Sequence, residues 1–205
     1  DLSSSALRGN SGSIYALKNA GFNIVSFANN HVLEHGANPF TDTVNRLKEV
    51  GIGVAGLKNE HGGCSPEILH NDTVKTGFLA YSLVDPPPGS LEFPYCQSTP
   101  EDQIIGDIVS LKEKVEAVIV SLHWGCEYIS YPSPDQIRLA RNLVDAGAGI
   151  ILGHHPHCLQ GVERYGGGII FYSLGNFVFD FPQRKLRKSV IVRCALNDGQ
   201  ISSWE

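Results

Sequence analysis

The chain has 205 residues, of which 42% are hydrophobic and 18% are charged, and its formal net charge at pH 7 is −5. These values are typical of one soluble globular domain with a substantial core, and they disfavour nucleic-acid binding, which usually requires a basic face. The basic stretch at residues 184–188 is interpreted as a solvated loop. No apolar run in the sequence reaches the length that spans a bilayer.

Helical and strand patterns alternate along most of the chain, and strand patterns alone follow near its end. The predicted helices cover residues 13–21, 38–51, 104–115 and 133–147, with Asn38 as the N-cap of the second and a capping box from Ser133 to Gln136 in the fourth. The predicted strands cover residues 23–27, 53–56, 66–71, 74–82, 117–122, 149–152, 167–174, 178–181, 189–196 and 201–205, the last four mostly antiparallel. This order predicts an α/β fold with a mixed sheet, or two packed sheets, and helices outside.

Three polar clusters follow buried apolar strands of this predicted fold. They are "ANNH", "HWG" and "GHHPH", and they contain Asn30, His31, His123, His155 and His157. If the strands are parallel neighbours, the clusters open at one edge of the sheet, where α/β proteins build their sites. Each residue alone has a structural explanation, such as a hydrogen-bonded histidine or an Asn turn. Together they favour a site for a divalent metal ion, because imidazole and amide groups suit such ions.

The five cysteines are scattered and odd in number, which is not the pattern of a disulfide scaffold. We therefore expect small, mostly buried thiols. An unpaired count also leans towards a reducing compartment.

The stretches "GFNIVSFANNHVLEHG", "VSLHWGCEY" and "GHHPHCLQGVERYGGGIIFYSLGNFVFD" resemble the CapA family, named for poly-γ-glutamate capsule biosynthesis and similar to the calcineurin-like metallophosphoesterases. The resemblance runs from about Ser13 to Asp180. It implies a metallophosphoesterase-like layered sandwich of mixed β-sheets flanked by helices. Residues 1–205 are expected to form a single such domain, incomplete at its N-terminus because the first strands of the family are missing.

The resemblance also implies roles for the polar clusters. Metallophosphoesterases hold two divalent ions about 3.5–4 Å apart, which clamp a phosphate and activate a water. In the full-length protein these are expected to be two ions of Mn, Fe or Zn. Asn30, His123, His155 and His157 match the metal ligands, and His31 matches the histidine that stabilises the phosphoryl oxygens or protonates the leaving group.

Four further positions are expected either to support the metal ligands or to contact the substrate, namely Glu34, Glu127, His154 and Asn176. Glu34 stands where the family usually has an aspartate. Relatives also carry carboxylate ligands on upstream strands, so we expect sequence ahead of residue 1 to contain these acids and an envelope anchor. Four acids within the chain can partly substitute for these upstream carboxylate ligands, namely Asp85, Asp180, Glu34 and Glu127.

The sequence therefore predicts a metal-dependent phosphoesterase-like hydrolase domain that acts in capsule or poly-γ-glutamate biosynthesis or export at the cell envelope. Its expected partners are a polymer or phosphoester substrate and the membrane proteins of a capsule synthase, without nucleic acid. Two alternatives stay open. One is a non-catalytic envelope component of the polymer synthase complex, and the other is a metal-dependent amidase acting on γ-glutamyl bonds.

Overall fold

The computed structural model describes residues 9–71, 74–85, 94–179, 182–197 and 199–205. The helices in these ranges are α1 (Ser13–Asn19), α2 (Ala37–Glu49), α3 (Glu101–Lys112), α4 (Pro134–Asp145) and a 3₁₀ helix (Arg184–Arg187). The strands are β1 (Ile24–Ser26), β2 (Gly53–Ala55), β3 (Glu67–His70), β4 (Lys75–Ser82), β5 (Ala117–His123), β6 (Ile150–His154), β7 (Val162–Tyr165), β8 (Gly168–Phe171), β9 (Cys194–Asn197) and β10 (Gln200–Trp204). None of the helices in the described ranges combines the length and apolar character needed to cross a bilayer.

The strands form one large mixed sheet and two small ones. The large sheet has six strands in the order β3-β4-β5-β6-β8-β7, with β4, β5, β6 and β8 parallel and the two edge strands antiparallel. β1 and β2 form a separate parallel pair, and β9 and β10 form an antiparallel pair. The predicted α/β class with mixed sheets is therefore confirmed.

The two faces of the large sheet are covered differently. One face packs on α3 and α4 through buried residues such as Leu79, Ile108, Val120 and Leu143. On the other face, a cluster joins β4 to β1, β2 and α2, and a third cluster joins β6 and β8 to the β9–β10 pair. The helices and the small sheets thus form layers on opposite faces of the large sheet. The face that carries the small sheets also contacts the loop after β1, through Ala28.

The N-termini of α4 and α2 can be compared with the caps predicted from the sequence. The capping box of α4 is present, with the Ser133 hydroxyl accepting from the Gln136 N–H and the Gln136 side chain accepting from the Ser133 N–H. The prediction of Asn38 as the cap of α2 is wrong, because the helix begins two residues earlier and its N-cap is Gly36. Gly36 has φ 84°, a conformation open to glycine, and this turn lets the chain enter the helix sooner.

The late strands pair mostly antiparallel, as predicted, in β7–β8 and β9–β10, while β8 also runs parallel to β6. One strand prediction needs correction. Residues 178–179 are not in a strand, and the rest of the predicted strand at 178–181 lies outside the described residues. The segment at 184–188, expected as a solvated loop, contains the 3₁₀ helix, whose basic side chains are exposed while Leu186 is buried.

The expectation of unpaired thiols is wrong for two cysteines. Cys64 and Cys96 form a disulfide, with their Cα atoms 5.8 Å apart. The Cys96 N–H donates to the carbonyl of Gly56, and the Cys96 carbonyl accepts from Ser82, which ties this segment to the end of β4. Long-range pairing therefore brings together two cysteines that are 32 positions apart in sequence. Cys126, Cys158 and Cys194 are free thiols.

Candidate metal centre

Three loops meet at one edge of the large sheet. Asn30 lies in the turn after β1, His123 is the last residue of β5, and His155 and His157 follow β6 directly. Because β5 and β6 are parallel neighbours, with His123 in register with His154, their following loops open at the same edge.

His123 points towards the face of the sheet that carries the small β1–β2 pair. Alternate residues of β5, namely Val118, Val120 and Leu122, pack towards α3 and α4, so His123 lies on the opposite face. There its Nε2 lies 2.8 Å from Oδ1 of Asn30. One hydrogen bond thus joins the loop of the small sheet to the end of the large one.

The imidazole rings form a continuous row. The ring centroids of His123 and His155 are 4.8 Å apart, and those of His155 and His157 are 6.1 Å apart. The structure therefore gathers all four side chains expected as ligands, those of Asn30, His123, His155 and His157, into one chain of contacts.

A carboxylate stands beside two of these histidines. Glu127, in the loop after β5, lies with Oε1 4.0 Å from Nε2 of His157. Ligand atoms of Glu127, His155 and His157 all lie within 4.8 Å of one another, and this group, among the residues that the structure describes, contains neither Glu34 nor Asp85. Asp180 lies outside the described residues. Glu127 was expected only as a supporting or substrate-contacting residue or as a substitute acid, and the structure places it among possible metal ligands.

Burial keeps the central imidazoles neutral. Burial lowers the pKa of His123 to about 3, with further lowering from His155, His154, His31 and His157. Burial likewise lowers the pKa of His154 to about 4 and also lowers the pKa of His155. Neutral imidazole is the form that binds metal ions, so these rings are available as ligands at neutral pH.

One buried nitrogen in the cluster lacks a partner. Nδ1 of His155 has no hydrogen-bond partner among the residues that the structure describes. A buried polar atom without a partner costs about 1–3 kcal/mol, so such an atom calls for an explanation. A cation bound in the cluster is one partner that would satisfy it.

The separations between donors fit a metal ion. Ligand atoms at about 2.1 Å from one ion lie roughly 3–4 Å from each other. The 4.0 Å between His157 Nε2 and Glu127 Oε1 lies at the upper end of this range. The 2.8 Å between Asn30 Oδ1 and His123 Nε2 is a hydrogen bond in which the ring donates, so this nitrogen becomes a metal ligand only when its hydrogen moves to Nδ1. Three imidazoles, an amide oxygen and a carboxylate form a donor set that suits Mn, Fe or Zn.

His31 is held by the glutamate three residues later. Its Nδ1 lies 2.6 Å from Oε1 of Glu34, and its backbone N–H donates to Oδ1 of Asn29. Glu34 thus contacts His31 directly. His31 is near enough to the cluster to lower the pKa of both His123 and His155.

The loops of the cluster contain strained backbone. Tyr128, His155 and His157 have φ angles of 65°, 94° and 56°. Positive φ costs a non-glycine residue roughly 1–2 kcal/mol, and such conformations concentrate at functional sites. No sequence pattern signals these conformations.

A close contact behind the cluster fixes the turn after His123. The buried Trp124 donates from Nε1 to the carbonyl of Tyr172 at 3.1 Å, and the two rings stack. Both groups lie against Gly153 of β6, where a Cβ would meet the Tyr172 carbonyl oxygen at 1.9 Å. Glycine at this position therefore allows the strand to approach closely and sets where the histidine loop begins.

The remaining predicted positions lie around the cluster. His154, at the end of β6, is half-buried and in register with His123. Asn176 is buried against His157, with its Oδ1 2.7 Å from the Nδ1 of that ring.

The chain is similar to proteins of capsule synthesis. A family model described as bacterial capsule synthesis protein PGA_cap matches residues 2–181. Capsule biosynthesis protein CapA of Bacillus anthracis is 37% identical over 193 residues, which are 91% of this chain and 47% of that protein. PGA biosynthesis protein CapA of Bacillus subtilis is 34% identical over 209 residues, with shares of 97% and 53%. The chain thus spans about half the length of these curated relatives.

Solved structures share the fold at low sequence identity. The sulfate thiohydrolase SoxB of Thermus thermophilus matches with a TM-score of 0.62 at 15% identity, over 95% of this chain and 34% of that one. A phosphatase of Mycoplasma pneumoniae matches with a TM-score of 0.51 at 14% identity, over 78% and 52%. These likenesses establish a metallophosphoesterase-like fold.

Proposed function

The chain belongs to the bacterial capsule synthesis protein PGA_cap family, and from this premise we propose that it is a metal-dependent, phosphoesterase-like hydrolase domain acting in capsule or poly-γ-glutamate synthesis or export. The observation that carries the proposal is the row of His123, His155 and His157 at one sheet edge, joined to Asn30. The 205 residues act as one such domain within a longer protein.

The ligands are assigned by position. Asn30, His123, His155 and His157 hold the metal, and Glu127 adds a carboxylate beside the last two. The full-length protein takes two divalent ions, of Mn, Fe or Zn. When bound, such ions polarise a phosphoryl oxygen and lower the pKa of a water that attacks phosphorus.

The chain's own residues orient the reaction. We assign His31 to the leaving group. Glu34 accepts from its Nδ1–H, so Nε2 can give a proton to the leaving group when the ring is protonated on both nitrogens. Asn30 contributes an uncharged oxygen, which limits the negative charge near a phosphate. The buried, neutral His123 keeps its lone pair for the metal rather than for a proton.

We place the domain at the cell envelope, and we propose membrane proteins of a capsule synthase as its partners and a polymer or phosphoester as its substrate. The disulfide between Cys64 and Cys96 supports this, because disulfides persist in oxidising compartments outside the cytosol. It replaces the opposite inference drawn from an unpaired cysteine count.

The test uses the full-length protein, stripped of metal and then reloaded with Mn²⁺, Fe²⁺ or Zn²⁺. Hydrolysis of p-nitrophenyl phosphate and bis(p-nitrophenyl) phosphate is measured together with metal content. We expect turnover that follows metal loading and is lost in His155→Ala but kept in His70→Ala, a change at an exposed histidine on β3. Bound metal without turnover would contradict hydrolysis and favour a binding role, and cleavage of γ-glutamyl amides alone would favour the amidase.

A further inference from the structure

The buried Asn176 uses its whole side-chain amide on two partners. Its Nδ2 donates to the carbonyl of Leu186 at 2.7 Å and to the carbonyl of His157 at 3.3 Å. Its Oδ1 lies 2.7 Å from Nδ1 of His157. Carbonyl oxygens can only accept, so the amide nitrogen must face them and the amide oxygen must face the ring.

This orientation decides which ring nitrogen of His157 carries the proton. An amide oxygen only accepts, so Nδ1 of His157 must donate to it and therefore bears the hydrogen. In the neutral ring the lone pair then lies on Nε2, which is the nitrogen on the side of Glu127.

The ring is also fixed in direction. It packs against the rings of Tyr128 and Phe179, whose centroids lie 6.0 Å and 5.6 Å away. The backbone of His157 has φ 56°, and the bond from Asn176 to its carbonyl helps to hold that conformation.

We propose that Asn176 is a positioning residue that holds His157 with its proton on Nδ1, so that Nε2 is the permanent donor to the metal. The inference rests on the proposed function, since it takes His157 as a ligand. It assigns a physical role to the asparagine of "SLGNF". Partners that orient a ligand histidine typically contribute 10–100-fold to metal affinity.

The first test identifies the protonated nitrogen of His157 by NMR, in wild type and in a variant. Long-range ¹H–¹⁵N spectra of the metal-free full-length protein at pH 8 report which nitrogen of His157 is protonated, and we expect Nδ1. In Asn176→Ala we expect the proton to move towards Nε2, because the amide oxygen that accepts from Nδ1 is removed. A role confined to bracing the Leu186 carbonyl would leave the ring unchanged.

The second test measures Zn²⁺ affinity by competition with a chromophoric chelator. We expect Asn176→Ala to bind Zn²⁺ roughly 10–100-fold more weakly. Asn176→Asp should keep the Nδ1 proton and most of the affinity, because a carboxylate still accepts from Nδ1 although it cannot donate to the carbonyls. Asn142→Ala, which removes an amide bonded to Glu101 on α3, is the matched control and should bind like wild type.

The outcomes separate this inference from the proposed function. A wild type that binds no Zn²⁺ would contradict the proposed function itself. A wild type that binds Zn²⁺ but carries the proton on Nε2 of His157 would overturn only the role of Asn176. The same role would be overturned if folded Asn176→Ala or Asn176→Asp protein had a Zn²⁺ affinity different from the one expected above.

Discussion

Asn30 and His123 lie 93 residues apart in the sequence, and their side chains meet in a 2.8 Å hydrogen bond. Asn30 follows the two-stranded β1–β2 sheet, whereas His123 ends a central strand of the six-stranded sheet. The contact therefore joins two separately hydrogen-bonded sheets at the candidate metal centre. A cation that replaced the shared proton would bridge the same two parts of the fold.

From this relationship we predict that metal stabilises the native state. A ligand at 100 times its Kd adds about 2.7 kcal/mol to the free energy of unfolding. Denaturant titrations with Zn²⁺ and with a chelator should show a difference of about this size in wild type and in His70→Ala. His123→Ala should show almost none, because it removes the ligand at the junction. Equal metal-induced stabilisation in His123→Ala would contradict the assignment.

Binding and catalysis should separate between two histidines. His155→Ala removes a ligand in the row of imidazoles, so metal content after dialysis should fall to background. His31→Ala should retain the metal and lose turnover by roughly 10²–10⁴-fold, the usual contribution of general acid–base catalysis. Metal analysis and phosphodiester hydrolysis on the same samples check both expectations. If both variants lose metal equally, the division of roles is wrong.

Replacing His155 by glycine should destabilise the protein less than replacing it by alanine. With φ at 94°, alanine there keeps the strain while glycine relieves it. We expect metal-free His155→Gly to be more stable than His155→Ala by about 1 kcal/mol in urea unfolding. At His70, within the ordinary strand β3, the order should reverse because glycine weakens a strand. The same order at both positions would show that φ at His155 carries no strain.

Gly153 should tolerate no side chain. A Cβ there would lie 1.9 Å from the carbonyl oxygen of Tyr172 and 2.7 Å from Nε1 of Trp124, so backbone would have to move. We expect Gly153→Ala to lower the free energy of unfolding by about 3 kcal/mol or more. Gly149→Ala, where the nearest atom is at 3.6 Å, is the matched control and should change stability little. Thermal unfolding by circular dichroism measures both, and similar melting temperatures would refute the close contact.

Reduction of the disulfide should destabilise the fold. Cys64 and Cys96 are 32 positions apart, and closing a loop of this length stabilises a protein by about 3–4 kcal/mol in the chain-entropy estimate. We expect dithiothreitol to lower the melting temperature of wild type and of Cys126→Ala, which removes an exposed thiol. The Cys64→Ala/Cys96→Ala variant should start lower and not respond to the reductant. A melting temperature of wild type that ignores reductant would argue that the bond does not form.

Local pattern alone predicted the alternating elements, the capping box of α4 and the loops that carry the four candidate ligands. It could do so because side-chain periodicity and capping act over a few residues, and because the loops after the parallel neighbours β5 and β6 open at one edge of their sheet. The Asn30 loop follows β1 of a separate sheet, so only packing decides that it reaches this edge. The family resemblance, confirmed by the family match, added the metallophosphoesterase-like fold.

Tertiary structure alone decided the rest. The pairing of Cys64 with Cys96, the place of Glu127 beside His155 and His157, and the bond from Asn176 to His157 depend on where distant segments lie after packing. The sequence contains these side chains but not the distances between them. Those distances are set by contacts between residues that are far apart in sequence, such as Gly153 and Tyr172, which pack together only in the folded protein.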